Sequence, residues 1–186
     1  QPYHVSDLQK LKTDIAGKAM IEITPIGHTV EGRELEIIQV GSPDAPHRVL
    51  IRARAHPWEP GGNCVMEGLI RRLLRDDDEA RQRLATYCLY VMPMANKDGV
   101  ARGRTRFNMN GKDLNRDWLP AQLEESKCRL QFFHTWRPQL HTDFHEMGSS
   151  STYFFQPGVT KRNNPNTPQR NYELTKEIAG FHAKAL

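Results

Sequence analysis

Two histidines and one glutamate in this chain have the types and spacing of a hydrolytic metal site. His56 and Glu59 stand three residues apart in Arg54-Ala55-His56-Pro57-Trp58-Glu59, and His145 closes Asp143-Phe144-His145 far downstream. Zinc favours tetrahedral nitrogen and oxygen donors, and a catalytic site keeps its fourth position for water, whose pKa the ion lowers to ~7. Two imidazoles and a carboxylate, as a close pair followed by a distant third, make such a set for one Zn2+ ion.

The elements around the trio must bring it together. Val49-Leu50-Ile51-Arg52-Ala53 is a short apolar run typical of a buried strand, and Pro60-Gly61-Gly62-Asn63 can open a helix through Arg75. His56 and Glu59 then fall on a strand-to-helix turn, at the sheet edge where α/β proteins place their sites. His141 competes for the third position. Leu140, Thr142 and Phe144 alternate with His141, Asp143 and His145, a strand period, and four residues of strand span about 13 Å. Both imidazoles cannot meet one ion over that distance, so His145 at the strand end is the donor and His141 has a structural or supporting role.

A second informative stretch runs from Asn96-Lys97-Asp98-Gly99-Val100 through Arg102, Arg104 and Arg106 to Asp113-Leu114-Asn115-Arg116. It follows the apolar strand Tyr87–Met92 and reads as a loop rich in Gly, Asn and cations, an anion receptor. A guanidinium beside an amide suits a carboxylate, because the planar fork takes two oxygens and the amide adds a donor. The cations are not interleaved with stacking aromatics, which speaks against nucleic acid.

With these residues in view, the chain resembles the carboxypeptidase A-like zinc metallocarboxypeptidases, most closely their cytosolic carboxypeptidase branch. The resemblance rests on His56-Pro57-x-Glu59, Asn96-x-Asp98-Gly99-Val100-x-x-Gly103-x-x-Arg106, Gly111-x-Asp113-Leu114-Asn115-Arg116-x-Trp118 and Asp143-x-His145, in the family's order, with Pro2-Tyr3 and Asp7-Leu8 ahead of them. It implies His56, Glu59 and His145 as zinc ligands, with Asp113 orienting His56. It also implies Asn115 and Arg116 as the pair gripping a substrate's free C-terminal carboxylate, and Arg106 as the arginine that stabilises the oxyanion, with Arg104 ranked second. Trp58 stands where the branch has Gly and Lys97 where it has Pro, which alters the rim of the site and with it substrate choice. The family's general-base glutamate comes from a later strand. Glu146, Glu173 and Glu177 do not match its context, so the chain reads as a catalytic domain cut short, its C-terminal part missing and the fragment inactive alone.

The formal net charge of +4 and a pI near 9.1 are about what the arginine cluster supplies and decide nothing alone. Three cysteines cannot all pair; Cys64, Cys88 and Cys128 read as buried thiols, with no disulfide framework. No apolar run approaches a membrane span and no signal peptide is evident, so a soluble protein is expected, cytoplasmic rather than periplasmic or secreted, with neither membrane nor nucleic acid as partner.

The pattern predicts a helix over 6–16, strands over 20–24, 35–40 and 49–54, a helix, the strand 87–92, the site loop, a helix over 122–135, strands over 139–144 and 152–155, and a helix from 169 onward. Val30-Glu31-Gly32-Arg33 reads as a hairpin turn, and Asp76-Asp77-Asp78-Glu79 as a solvated turn carrying the N-terminal charge of a helix. Strands alternating with helices argue for α/β architecture, three layers α/β/α with a mixed sheet, in one domain over 1–186. Three functions fit: a zinc exopeptidase acting on peptide or protein C-termini, a zinc amidase or deacylase for an acylated amino acid or cell-wall peptide, and a carboxylate-binding fragment without turnover.

Overall fold

The computed structural model describes residues 2–147 and 164–185. It opens with α1 (Val5–Ile15), β1 (Ile21–His28), β2 (Glu34–Val40) and β3 (His47–Arg52). Next come α2 (Gly61–Leu73), α3 (Asp78–Thr86), β4 (Tyr87–Met92), the short α4 (Lys97–Ala101), a 3-10 turn over Leu114–Arg116, α5 (Glu124–Trp136) and β5 (Leu140–Asp143). These belong to one compact unit, Gln1–Glu146; a second unit, Met147–Leu186, contains α6 (Gln169–Ala185). The strand expected over 152–155 lies outside the described residues.

The five strands form one mixed sheet in the order β1-β2-β4-β3-β5. β1 pairs antiparallel with β2 and β2 with β4, whereas β3 runs parallel to both β4 and β5. The central strands are buried on both faces, as a sheet covered by helices on each side requires. On one face Ile38, Val40, Ile51, Leu89 and Val91 pack with Leu8, Leu11 and Ile15 of α1 and Met66 and Ile70 of α2. Their neighbours Ile37, Leu50, Cys88, Tyr90 and Met92 point the other way, into a core with Leu123 and Phe132 from α5 and its approach. The alternation along β2, β3 and β4 thus builds the layered α/β arrangement.

β1 continues past its expected end. Pro25 sits opposite Glu36 and the register shifts between Pro25 and Gly27. β1 is an edge strand, where a residue without an N–H is tolerated and a bulge absorbs the irregularity. The hairpin with β2 forms as expected. Asp77 caps α3, its side chain accepting from the Ala80 N–H, so the acidic run is a helix start. Cys88 is buried, Cys128 half-buried and Cys64 exposed, all three free; Cys64 departs from the expectation because it lies on the outer face of α2.

Candidate metal centre

The parallel strands end side by side, and the loops leaving them carry the chemistry. β3 exits through Arg54, a non-glycine residue in the left-handed region at φ 59°. The buried Arg54 guanidinium holds this turn by donating to the Tyr3 carbonyl at 3.0 Å and to Asn63 Oδ1 at 3.1 Å. His56 and Glu59 follow, both buried, and α2 begins two residues later. Across β3 from β4, β5 ends at Asp143 and His145 lies just beyond it.

The three groups meet. His56 Nδ1 is 2.9 Å from Glu59 Oε1 and His145 Nδ1 is 2.9 Å from Glu59 Oε2. One donor atom from each residue lies within 4.8 Å of the others. Donors about 2 Å from a common ion can stand up to about 4 Å apart, so the trio need close by no more than about 1 Å to hold one. The chemistry of the set agrees: two imidazole nitrogens and a carboxylate oxygen converge. Behind them, His56 Nε2 is 3.2 Å from Asp113 Oδ1 and His145 Nε2 is 2.9 Å from Asp143 Oδ2. A carboxylate on the far nitrogen fixes the tautomer that leaves the near nitrogen's lone pair free for a metal.

The charges follow from these contacts. Burial alone would raise the Glu59 carboxyl, but hydrogen bonds from His145 and His56 reverse it and hold the group below its ordinary value. Asp113 is likewise lowered against burial by the Asn115 backbone N–H, His56 and Arg106, and Asp143 by His145 and Arg52. Hydrogen bonds to Asp143 and Glu59 push the His145 imidazole up to about 9. The contact between His145 Nδ1 and Glu59 Oε2 lies among the donor atoms that a divalent cation would draw together.

His141 is not part of the trio among the described residues. It packs against Trp118 and Phe133, with ring centroids 5.4 and 6.3 Å away, and burial pushes it down to about 4.

In the loop after β4, Asp98 is fully buried and accepts from the Thr29 hydroxyl, the Glu31 N–H and Arg33, fastening the loop to the β1–β2 turn. Lys97 overturns its expectation. It does not stand on the rim, because its ammonium turns inward to the Glu36 carboxylate and the Glu34 carbonyl. Trp58 does stand at the surface, 63% exposed. The loop is also less free an anion receptor than its composition suggests, since Arg102 binds Glu31.

Arg106 Nε donates to Asp113 Oδ2 at 2.8 Å while its side chain stays 40% exposed. Arg104 contributes a backbone bond to the Gly99 carbonyl. Asn115 and Arg116 sit on the 3-10 turn, which Asp113 caps by accepting the Asn115 N–H at 2.8 Å; Arg116 is exposed and donates to the Asn115 carbonyl. Sequence reasoning gave Asp143 no role. Its signal was the i, i+2 spacing to His145, which puts two side chains of an extended segment on the same side.

An open α/β sheet with one carboxylate-backed His-Glu-His cluster at its parallel strand ends defines the class: an α/β protein with a candidate mononuclear metal centre. Residues 6–129 match the family described as zinc carboxypeptidase, and the chain belongs to that family. Cytosolic carboxypeptidase 2 of Xenopus tropicalis is 30% identical over 138 residues, 68% of this chain and 14% of that protein. Cytosolic carboxypeptidase 6 of Caenorhabditis elegans is 37% identical over 95 residues, 48% of this chain and 21% of that protein. Among solved structures, a metallo-carboxypeptidase from Pseudomonas aeruginosa, in complex with (2-guanidinoethylmercapto)succinic acid, superposes with a TM-score of 0.72 at 35% identity, covering 77% of this chain and 40% of that one. A metallo-carboxypeptidase from Burkholderia cenocepacia gives 0.72 at 26% identity, covering 77% and 41%. The chain therefore spans well under half the length of these relatives. No helix among the described residues is long and apolar enough to cross a membrane.

Proposed function

We propose that this chain carries the zinc site and the C-terminus-recognising residues of a metallocarboxypeptidase that hydrolyses the last peptide bond of peptides or proteins. The observation that carries this reading is the convergence of His56, Glu59 and His145 with a carboxylate behind each imidazole. Bound there, zinc would polarise the scissile carbonyl and acidify the attacking water. The chain's own residues do the rest. Asp113 and Asp143 keep the Nε2 protons on their own side of the rings. Arg106, held by Asp113 yet accessible, supplies positive charge where the oxyanion develops. Asn115 and the exposed Arg116 offer an amide and a guanidinium to a terminal carboxylate, and the dicarboxylic ligand of the Pseudomonas relative supports that reading.

The carboxylates placed beside the trio already have partners. Asp113 is held by His56 and Arg106, Asp143 by His145 and Arg52, and Glu146 by the Gly61 N–H at 2.6 Å. Among the described residues each of these carboxylates is thus engaged in holding the site, so the 186-residue chain itself is expected to bind peptides without appreciable turnover. The cytosolic carboxypeptidases among its relatives favour a cytoplasmic setting. The test is binding of peptides with free and amidated C-termini to the zinc-loaded chain. Preference for the free acid, lost by about 10-fold to 100-fold in Arg116→Ala, is expected. Indifference to amidation would instead favour an amidase or deacylase acting on a different group.

A further inference from the structure

Asn115 can serve a carboxylate only through its NH2 group, because the amide oxygen would repel it. A free amide can present either end. Here the choice is made by Trp118, whose indole Nε1–H donates to Asn115 Oδ1 at 2.8 Å. The indole has no acceptor to offer, so the bond fixes which end of the amide is oxygen and leaves the NH2 end for another partner. Two guanidiniums hold the ring itself: that of Arg129 lies 4.3 Å and that of Arg52 4.8 Å from its centroid. Both arginines are buried, where a cation over an aromatic face is worth more than at the surface. Arg52 also donates to Asp143 Oδ2 at 3.2 Å, the oxygen that faces His145. One arginine therefore touches the carboxylate behind His145 and the ring behind Asn115.

We propose that Trp118 is a positioning residue for recognition of a substrate's terminal carboxylate: its indole N–H locks the Asn115 amide with the donor end outward, and Arg52 and Arg129 hold the indole in place. This rests on the reading of Asn115 and Arg116 as the carboxylate grip. Trp118→Phe keeps most of the ring and removes the N–H, so it isolates the lock from the packing.

The test titrates the zinc-loaded chain with dansyl-Gly-Gly-Phe as the free acid and as the amide, alongside zinc content and melting temperature. Trp118→Phe should weaken binding of the free acid by about tenfold, the scale of one lost hydrogen bond, and leave the amide's affinity and the zinc content unchanged. In an Asn115→Ala background the same substitution should change nothing beyond about twofold, because no amide remains to be locked. Arg129→Gln, which loosens the clamp without touching the turn, should shift free-acid binding in the same direction and also lose its effect in that background. This second variant decides the matter if Trp118→Phe does not fold. Wild-type protein that binds acid and amide alike would overturn the grip and this inference together. Wild type that discriminates, with variants that discriminate equally or lose affinity equally without Asn115, would overturn only the role of Trp118.

Discussion

Within five residues, His141 and His145 meet opposite surroundings. Asp143 and Glu59 raise His145 to about 9, while burial against Trp118 and Phe133 lowers His141 to about 4. The second shift has a consequence for stability. Above the ordinary imidazole pKa of about 6.5, His141 is neutral folded or unfolded and contributes no pH dependence. As pH falls from there toward 4, the unfolded chain takes up a proton that the folded chain resists, so stability is lost across that window. The charges facing His141 are Asp143, which opposes the effect, and Arg52 and Arg129, which reinforce it. His141→Phe should flatten the dependence of melting temperature on pH between 6.5 and 4, recovering at most about 3 kcal/mol at the acid end. An unchanged slope would show that His141 titrates normally in the folded protein.

At the scale of elements, the first turn of α2, just after Glu59, is fastened to the segment that carries His145. Pro60 offers α2 no capping side chain, and the Glu146 carboxylate, just past His145, accepts the Gly61 N–H instead. Gly62 lets the helix approach β3 and the end of β5: a Cβ there would stand 2.8 Å from Phe144 Cβ and 3.0 Å from Ala53 Cβ. Gly62→Ala should therefore destabilise the fold by about 1–3 kcal/mol, even though alanine favours the helix by about 1 kcal/mol. Gly68, on the outer face of the same helix, has open space around its Cβ position, so Gly68→Ala should stabilise by about 0.5–1 kcal/mol. Denaturant unfolding of the two variants checks both signs, and equal effects would mean that α2 does not press on the sheet at Gly62. The same local detail explains what the sequence concealed. Gly99 argues against a helix by propensity, yet α4 forms with Asn96 accepting the Gly99 N–H. A Cβ at Gly99 would lie 2.4 Å from Pro57 Cγ, so glycine is there for close approach.

For the molecule as a whole, the mixed layered sheet was readable because apolar runs such as Tyr87–Met92 and the alternation of strands and helices are local signals. The candidate donors were readable for a related reason: His56, Glu59 and His145 lie at strand exits whose positions the apolar runs fix. What stayed hidden depends on contacts distant in sequence. Arg52 reaches Asp143, Lys97 turns inward to Glu36, and Trp118 is clamped by Arg129; nothing in the spacing of these residues announces the pairing. The central claim is that one zinc ion is held by residues from β3's exit and β5's exit together. Metal analysis of the purified chain after zinc loading and dialysis tests it most directly, on wild type and on His145→Ala. The expected result is about one equivalent of zinc in the wild type and its loss in His145→Ala, with the variant still folded. Equal zinc content in the two folded proteins would contradict the assignment.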